Sequence, residues 1–322
     1  MNPALEFHQD AFVCDMTLPW SNFGRRDLAI AALQRMHSNG MNFVSLTVGM
    51  DWDDTESAIL AIAKERDFLK NNPNHYVLVE TVDDIYRAKT ENKLAIGLHF
   101  QGTNPLGYSV ELVEVYYRLG IRHMLLCYNL KNPVGDGCQE ITDGGLSRFG
   151  YDVIGKMNSV GMLVDVSHTG YRTSMDALEA SQKPVIISHS NPSGLFEHTR
   201  NVPDDMILAC AGTGGVVGIV GFASVISGER ELKTEGLVDH IEYCIDLVGD
   251  QHVGLGLDYV YDQEFDSRSV WSPHYSGRPI SVFEPEKLPT LTEVMLKRGH
   301  AETTVRAVLG ENWLRVAREV WK

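Results

Sequence analysis

The chain has 322 residues, 43% of them hydrophobic and 22% charged, with a formal net charge of −15. That composition supports a sizeable folded core and argues against a disordered chain, while the acidity argues against nucleic acid or an anionic membrane surface as a partner, since both need clustered Lys and Arg. Cys14, Cys127, Cys138, Cys210 and Cys244 form an odd set without C-x-x-C spacing, and no run of about 18 apolar residues occurs; a cytoplasmic protein with reduced thiols, no secretion signal at Met1 and no membrane span is expected.

Short apolar runs alternate with amphipathic segments along the chain. The runs are 12–17, 43–48, 94–100, 123–129, 162–168, 184–190, 215–221 and 252–259. They are apolar nearly throughout, as expected for parallel strands covered on both faces. Helical spacing follows in 26–40, 109–120, 146–161, 171–181 and 234–249, four of which stop at a glycine (Gly40, Gly120, Gly161, Gly249), with Thr234 as the cap of the last. Eight such pairs in about 250 residues predict a (β/α)8 TIM barrel. One domain over 1–322 is expected, with helices in 290–322 closing the barrel and long loops at 222–236 and 260–290. The rival is a doubly wound open sheet, which would need a glycine-rich phosphate turn after its first strand. "GTGGVVG" (212–218) breaks that pattern at Val217 and precedes a strand, so it reads as turn and close packing.

In a barrel of this kind, chemistry sits at the C-terminal ends of the strands. His168 closes the fifth run, His189 the sixth and Asp258 the eighth, and Asp15 lies near the end of the first. One histidine at a strand end is more often a hydrogen-bonded turn residue than a ligand. Two on neighbouring strands can share one Zn²⁺ or similar ion, with carboxylates nearby. His99 faces the same way as Gln101 and is a second-tier candidate. His37, His240 and His300 (helices), His123 and His252 (strand starts), and His8, His75 and His274 (termini or loops) read as structural or solvated. No G-x-S-x-G elbow occurs, and Cys127 reads as a small buried hydrophobe.

Segments through most of the chain, "MTLPW", "GDGCQEITDGGLSRFGYDVIGKMNSVGMLVDVSHTG", "KPVIISHSN", "RNVPDD", "HVGLGLDY" and "GENWLRV", resemble the membrane (renal) dipeptidases, peptidase family M19, among the amidohydrolase-like barrels. The resemblance implies a metal-dependent hydrolase of dipeptides with two zinc ions and a homodimeric assembly. It implies that His168 and His189 ligate the second ion, that Arg200 holds the substrate carboxylate and that Asp258 is the acid/base. Other positions depart from the pattern. The family's H-x-D on the first strand aligns with Asp15-Met16-Thr17, its bridging glutamate with Gln101 and its substrate-side histidine with Tyr128. Losing carboxylate charge from a two-ion cage removes much of what offsets the cations. One zinc is therefore expected, with two ions or another divalent metal as alternatives. Asp15 and Gln101 are reserve ligands, and Tyr128 and His99 are on the substrate side. The expected substrate is a dipeptide or a small carboxylate-bearing amide. The rival reading is a catalytically silent barrel that keeps a small-molecule binding role.

Overall fold

The computed structural model describes residues 3–20, 24–262 and 281–322. These contain nine strands in one sheet: β1 (Cys14–Leu18), β2 (Phe43–Met50), β3 (Tyr76–Leu78), β4 (Leu94–Gln101), β5 (Ile121–Leu125), β6 (Leu163–Asp165), β7 (Val185–Ile186), β8 (Val217–Ile219) and β9 (Val253–Leu255). All their pairings are parallel. The order β7-β6-β5-β4-β2-β1-β9-β8 is brought round on itself by a parallel bridge between Ile187 and Val217. The eight strands of that ring, with helices between them, make the (β/α)8 barrel that the periodicity predicts. Every residue of β1, β2, β4 and β5 is buried, as expected for strands covered on both faces.

The ninth strand was not foreseen. β3 pairs Tyr76–Leu78 with Leu94–Ile96 at the start of β4, while β5 takes the same edge of β4 only from Leu98 onward. β3 thus fills an edge that the shorter neighbour leaves bare. Three residues are too few to show a period.

The apolar runs overshoot their strands. β6 ends at Asp165 and β9 at Leu255, three residues short of His168 and Asp258. The reason is local: Asp165 Oδ1 accepts the N–H groups of Ser167 (3.0 Å) and Ser188 (3.1 Å), and Asp15 Oδ1 accepts those of Thr17 (3.1 Å) and Leu257 (3.0 Å). A carboxylate takes over from the ladder where each of these strand pairs runs out.

Other expectations need correction. Thr234 is the first helical residue and Lys233 takes the cap position. The expected loop 222–236 contains a short helix, Ala223–Ile226, and the helix Leu288–Lys297 begins inside the expected loop 260–290, of which 263–280 lie outside the described residues, as does His274. The long irregular segment is instead 126–147, between β5 and the helix Arg148–Val160. His8 is buried in the helix Pro3–Asp10 against Thr292 Oγ1 (2.7 Å) and Asn39 O (2.9 Å), and His300 lies between two helices. The glycines of 212–218 do serve close packing: a Cβ on Gly215 would come within 1.9 Å of Val185 O, and one on Gly218 within 2.0 Å of Ser188 O. Among the described residues no helix is long and apolar enough to cross a membrane.

Candidate active site

Three of the four non-glycine residues with positive φ among the described residues lie just past the C-terminal ends of barrel strands: Asn129 (60°) after β5, His168 (61°) after β6 and Asp258 (55°) after β9. Left-handed backbone at such residues is uncommon and costs free energy, and it concentrates at functional sites.

The structure brings His168 and His189 together, with their Nε2 atoms 2.9 Å apart. His168 Nδ1 lies 2.7 Å from Asn129 Oδ1. Only an N–H can satisfy that carbonyl oxygen, so His168 carries its proton on Nδ1 and turns a bare Nε2 towards His189. His189 Nδ1 meets Ser188 Oγ at 2.7 Å and Thr17 Oγ1 at 3.1 Å. Both rings are held well below the usual histidine pKa, first by burial and then by the positive charge of Arg200. They are neutral imidazoles, the form that binds a cation.

Ser-His occurs at both strand ends, 167–168 and 188–189, and the repeat has a physical account. Ser167 Oγ accepts the His189 backbone N–H (3.0 Å) and lies 3.2 Å from Ser188 Oγ, which holds the His189 ring. Asp165 clamps the backbone of both serines from below. Asp165 has a signal in the sequence as well: D-x-S at 165–167 and D-x-T at 15–17 repeat one spacing with one hydrogen-bond pattern.

Arg200 is buried at 8% exposure, donating to Ser190 Oγ (3.2 Å) and His189 O (3.1 Å). Among the described residues no carboxylate lies within salt-bridge distance of it, so this buried cation lacks a counter-charge. The Tyr128 ring stacks on His168 at 4.2 Å and 25°. Its backbone N–H donates to Asp51 Oδ2 (2.7 Å), and Asp51 also accepts from the N–H groups of Thr103 and Asn104 and from Asn132 Nδ2. Asp51, a residue sequence reasoning passed over, thus ties the loops after β2, β4 and β5 together beneath Tyr128. The segment 135–138 closes over His168: Cys138 N–H donates to His168 O (2.8 Å), and a Cβ on Gly137 would come within 2.1 Å of the Asn129 carbonyl carbon.

The remaining candidates are committed elsewhere. Asp15 is fully buried; Oδ1 carries its two backbone bonds and Oδ2 has no partner. Burial, with a contribution from the Asp258 charge, pushes its pKa up to about 7 against two opposing backbone hydrogen bonds. Gln101 donates through Nε2 to Thr47 Oγ1 (2.8 Å). His99, placed on the substrate side by its position, is fully buried with both nitrogens taken, by Ser45 Oγ (2.9 Å) and Thr47 Oγ1 (3.0 Å). His123 does not open a strand but sits within β5 and stacks on His99 at 4.3 Å and 11°. Among the described residues neither of its nitrogens has a hydrogen-bond partner, nor has Asp165 Oδ2, 3.9 Å away.

These residues do not fit a two-ion cage. Asp15 is a strand staple, Thr17 faces His189 and Gln101 presents an amide donor to its neighbour. Among the described residues no group of three or more His, Cys, Asp or Glu is placed so that it could hold a metal ion. They do fit one ion in place of the proton that joins the two imidazole Nε2 atoms.

Paired imidazoles and a buried guanidinium at the C-terminal mouth of a parallel barrel define an amidohydrolase-like enzyme scaffold. The family described as Membrane dipeptidase (Peptidase family M19) matches residues 31–322, and the chain belongs to it. It is 34% identical over 257 residues to an uncharacterized dipeptidase of Schizosaccharomyces pombe, covering 77% of this chain and 58% of that one. It is 32% identical over 246 residues to dipeptidase tcpJ of Claviceps purpurea, covering 76% of this chain and 55% of the other. The chain thus spans less than two thirds of these curated relatives. A crystal structure of an amidohydrolase from Pseudomonas aeruginosa superposes with a TM-score of 0.88 at 31% identity, covering 99% of both chains.

Proposed function

We propose that the protein is a metal-dependent hydrolase of a small carboxylate-bearing amide, a dipeptide or a close analogue, working with one ion. The observation that carries this reading is the convergence of two neutral imidazole nitrogens, 2.9 Å apart, on a strand end whose carbonyl holds the buried Arg200. His168 Nε2 and His189 Nε2 would hold the ion, zinc on the family's chemistry, and when bound it acidifies the attacking water and polarises the scissile carbonyl.

The chain's own residues supply the rest. Asn129 and the Ser188 and Thr17 hydroxyls orient the two imidazoles through their outer nitrogens. Arg200 clamps the substrate carboxylate, which supplies the missing counter-charge and suits a planar fork of donors. Asp258, close enough for its charge to act on Asp15, takes the proton of the attacking water and returns it to the leaving amine. The Tyr128 hydroxyl is the donor available to the developing oxyanion. Asp15 and Gln101 have no assigned step.

The test is hydrolysis of a panel of dipeptides and N-acyl amino acids by zinc-loaded and chelator-stripped protein. Arg200→Gln should act chiefly on KM and Asp258→Asn chiefly on kcat. A protein that purifies metal-free, takes up no zinc and hydrolyses none of the panel is a silent barrel, and the proposal fails.

A further inference from the structure

We propose that Trp52 and Tyr128 form an apolar shelf for the acyl half of the substrate, so that this site prefers amides whose acyl half carries an aromatic or bulky aliphatic group. The inference rests on the carboxylate-amide reading above. Trp52 follows the end of β2 and is 51% exposed. A single exposed tryptophan is ordinary on any surface. This one is set apart by what it touches and by how firmly its turn is held. Its ring meets Tyr128 edge to face, with centroids 5.7 Å apart at 85°. The turn is fixed on both sides, by Asp53 Oδ2 accepting Met50 N–H (2.9 Å) and by Asp51 with its partners on two other loops.

Contacts then follow one another in series. Trp52 meets Tyr128, Tyr128 stacks on His168 at 4.2 Å, His168 meets His189 at 4.9 Å between centroids, and His189 O accepts from Arg200 at 3.1 Å. The series is apolar at one end and cationic at the other, with the two imidazoles between. A substrate laid along it has its carboxylate on Arg200 and its scissile carbonyl over the imidazoles. The group beyond that carbonyl then falls on Tyr128 and Trp52. When the carboxylate belongs to the amine half of the amide, that group belongs to the acyl half. Leu130, 58% exposed, lies two residues past Tyr128 on the same loop. The substrate class is therefore N-acyl amino acids, or dipeptides with a large apolar first residue.

The test is calorimetric titration of the protein as purified with N-acetylglycine and N-benzoylglycine, which share the carboxylate and differ in the acyl group. N-benzoylglycine should bind about tenfold more tightly, the scale of an aromatic contact plus its buried area. Trp52→Ala should cut that ratio to below about twofold, Trp52→Phe should keep most of it, and Arg200→Gln should weaken both ligands alike. Equal affinities in the unmodified protein, or a ratio unchanged in Trp52→Ala, overturn the shelf while leaving the Arg200 clamp standing. If neither ligand binds, the carboxylate reading falls and takes the shelf with it.

Discussion

His168 Nε2 and His189 Nε2 face each other at 2.9 Å, while the other nitrogen of each ring is held from outside the pair. Two neutral imidazoles at that separation share one proton between the Nε2 atoms, the place a cation would take. His168 Nε2 and His189 Nε2 are the atoms that would hold the ion. His168→Ala or His189→Ala should each abolish metal retention, because the site has no nitrogen to spare. Each leaves a buried partner unpaired, at a cost of about 1–3 kcal/mol, and unfolding should stay cooperative. Elemental analysis with thermal denaturation checks both, and either variant keeping its metal at the unmodified level refutes the ligand assignment.

Asp15 should make the metal-free protein less stable as pH rises. Its pKa stands at about 7 in the folded chain against 3.8 for the ordinary group, chiefly through burial. The folded state thus keeps a proton that the unfolded chain releases. The stabilisation is full below the unfolded value and is lost at about 1.4 kcal/mol per pH unit as pH rises towards the folded value. Asp15→Asn keeps an oxygen for the Thr17 and Leu257 N–H groups and does not titrate. In chelator, the variant should gain on the unmodified protein between about pH 4 and 7. A difference that is flat with pH in urea titrations would show that Asp15 is ionised in the fold.

His123 carries the opposite sign. Burial lowers its pKa to about 3, so between there and 6.5 the unfolded chain takes up a proton that the fold refuses. Stability falls with acidification through that window by about 1.4 kcal/mol per pH unit from this residue alone. His123→Phe keeps a flat ring against His99 and removes two buried nitrogens without partners. It should be near neutral at pH 7 and increasingly stabilising below 6.5, read from denaturation midpoints at pH 7 and pH 5.

The site was legible where chemistry and position coincided. His168, His189, Arg200 and Asp258 could be picked out because strand ends, or a family motif, isolate them. What the supporting residues do could not be read, because Ser167, Ser188, Asp165 and Asn129 act through hydrogen bonds whose partners are distant in the chain, such as Asn129 to His168 across 39 residues. His123 has the structural place expected of it, but within the strand and not at its start, since β5 begins at Ile121. The barrel itself was legible from its apolar runs. β3 and the irregular 126–147 segment were not, since a three-residue edge strand and a loop held by Asp51, Asn132 and Asp136 carry no periodic signal.

Rebuilding the two-ion cage that the family resemblance implies offers a constructive test. Asp15→His, Thr17→Asp and Gln101→Glu together restore the missing ligand types, though Asp15→His also removes the staple that accepts from Thr17 and Leu257. The triple variant should bind nearer two metal equivalents and gain hydrolysis of simple dipeptides, which the unmodified protein should cleave weakly. Efficient dipeptide cleavage without these changes would mean that one ion suffices for the full reaction.

The central claim is one ion on two imidazoles, and metal stoichiometry measures it most directly. Purified protein, stripped and reloaded with excess zinc and then desalted, should retain one equivalent per chain, falling to none in both His168→Ala and His189→Ala. Two equivalents retained by the unmodified protein, or one retained by either alanine variant, would contradict it.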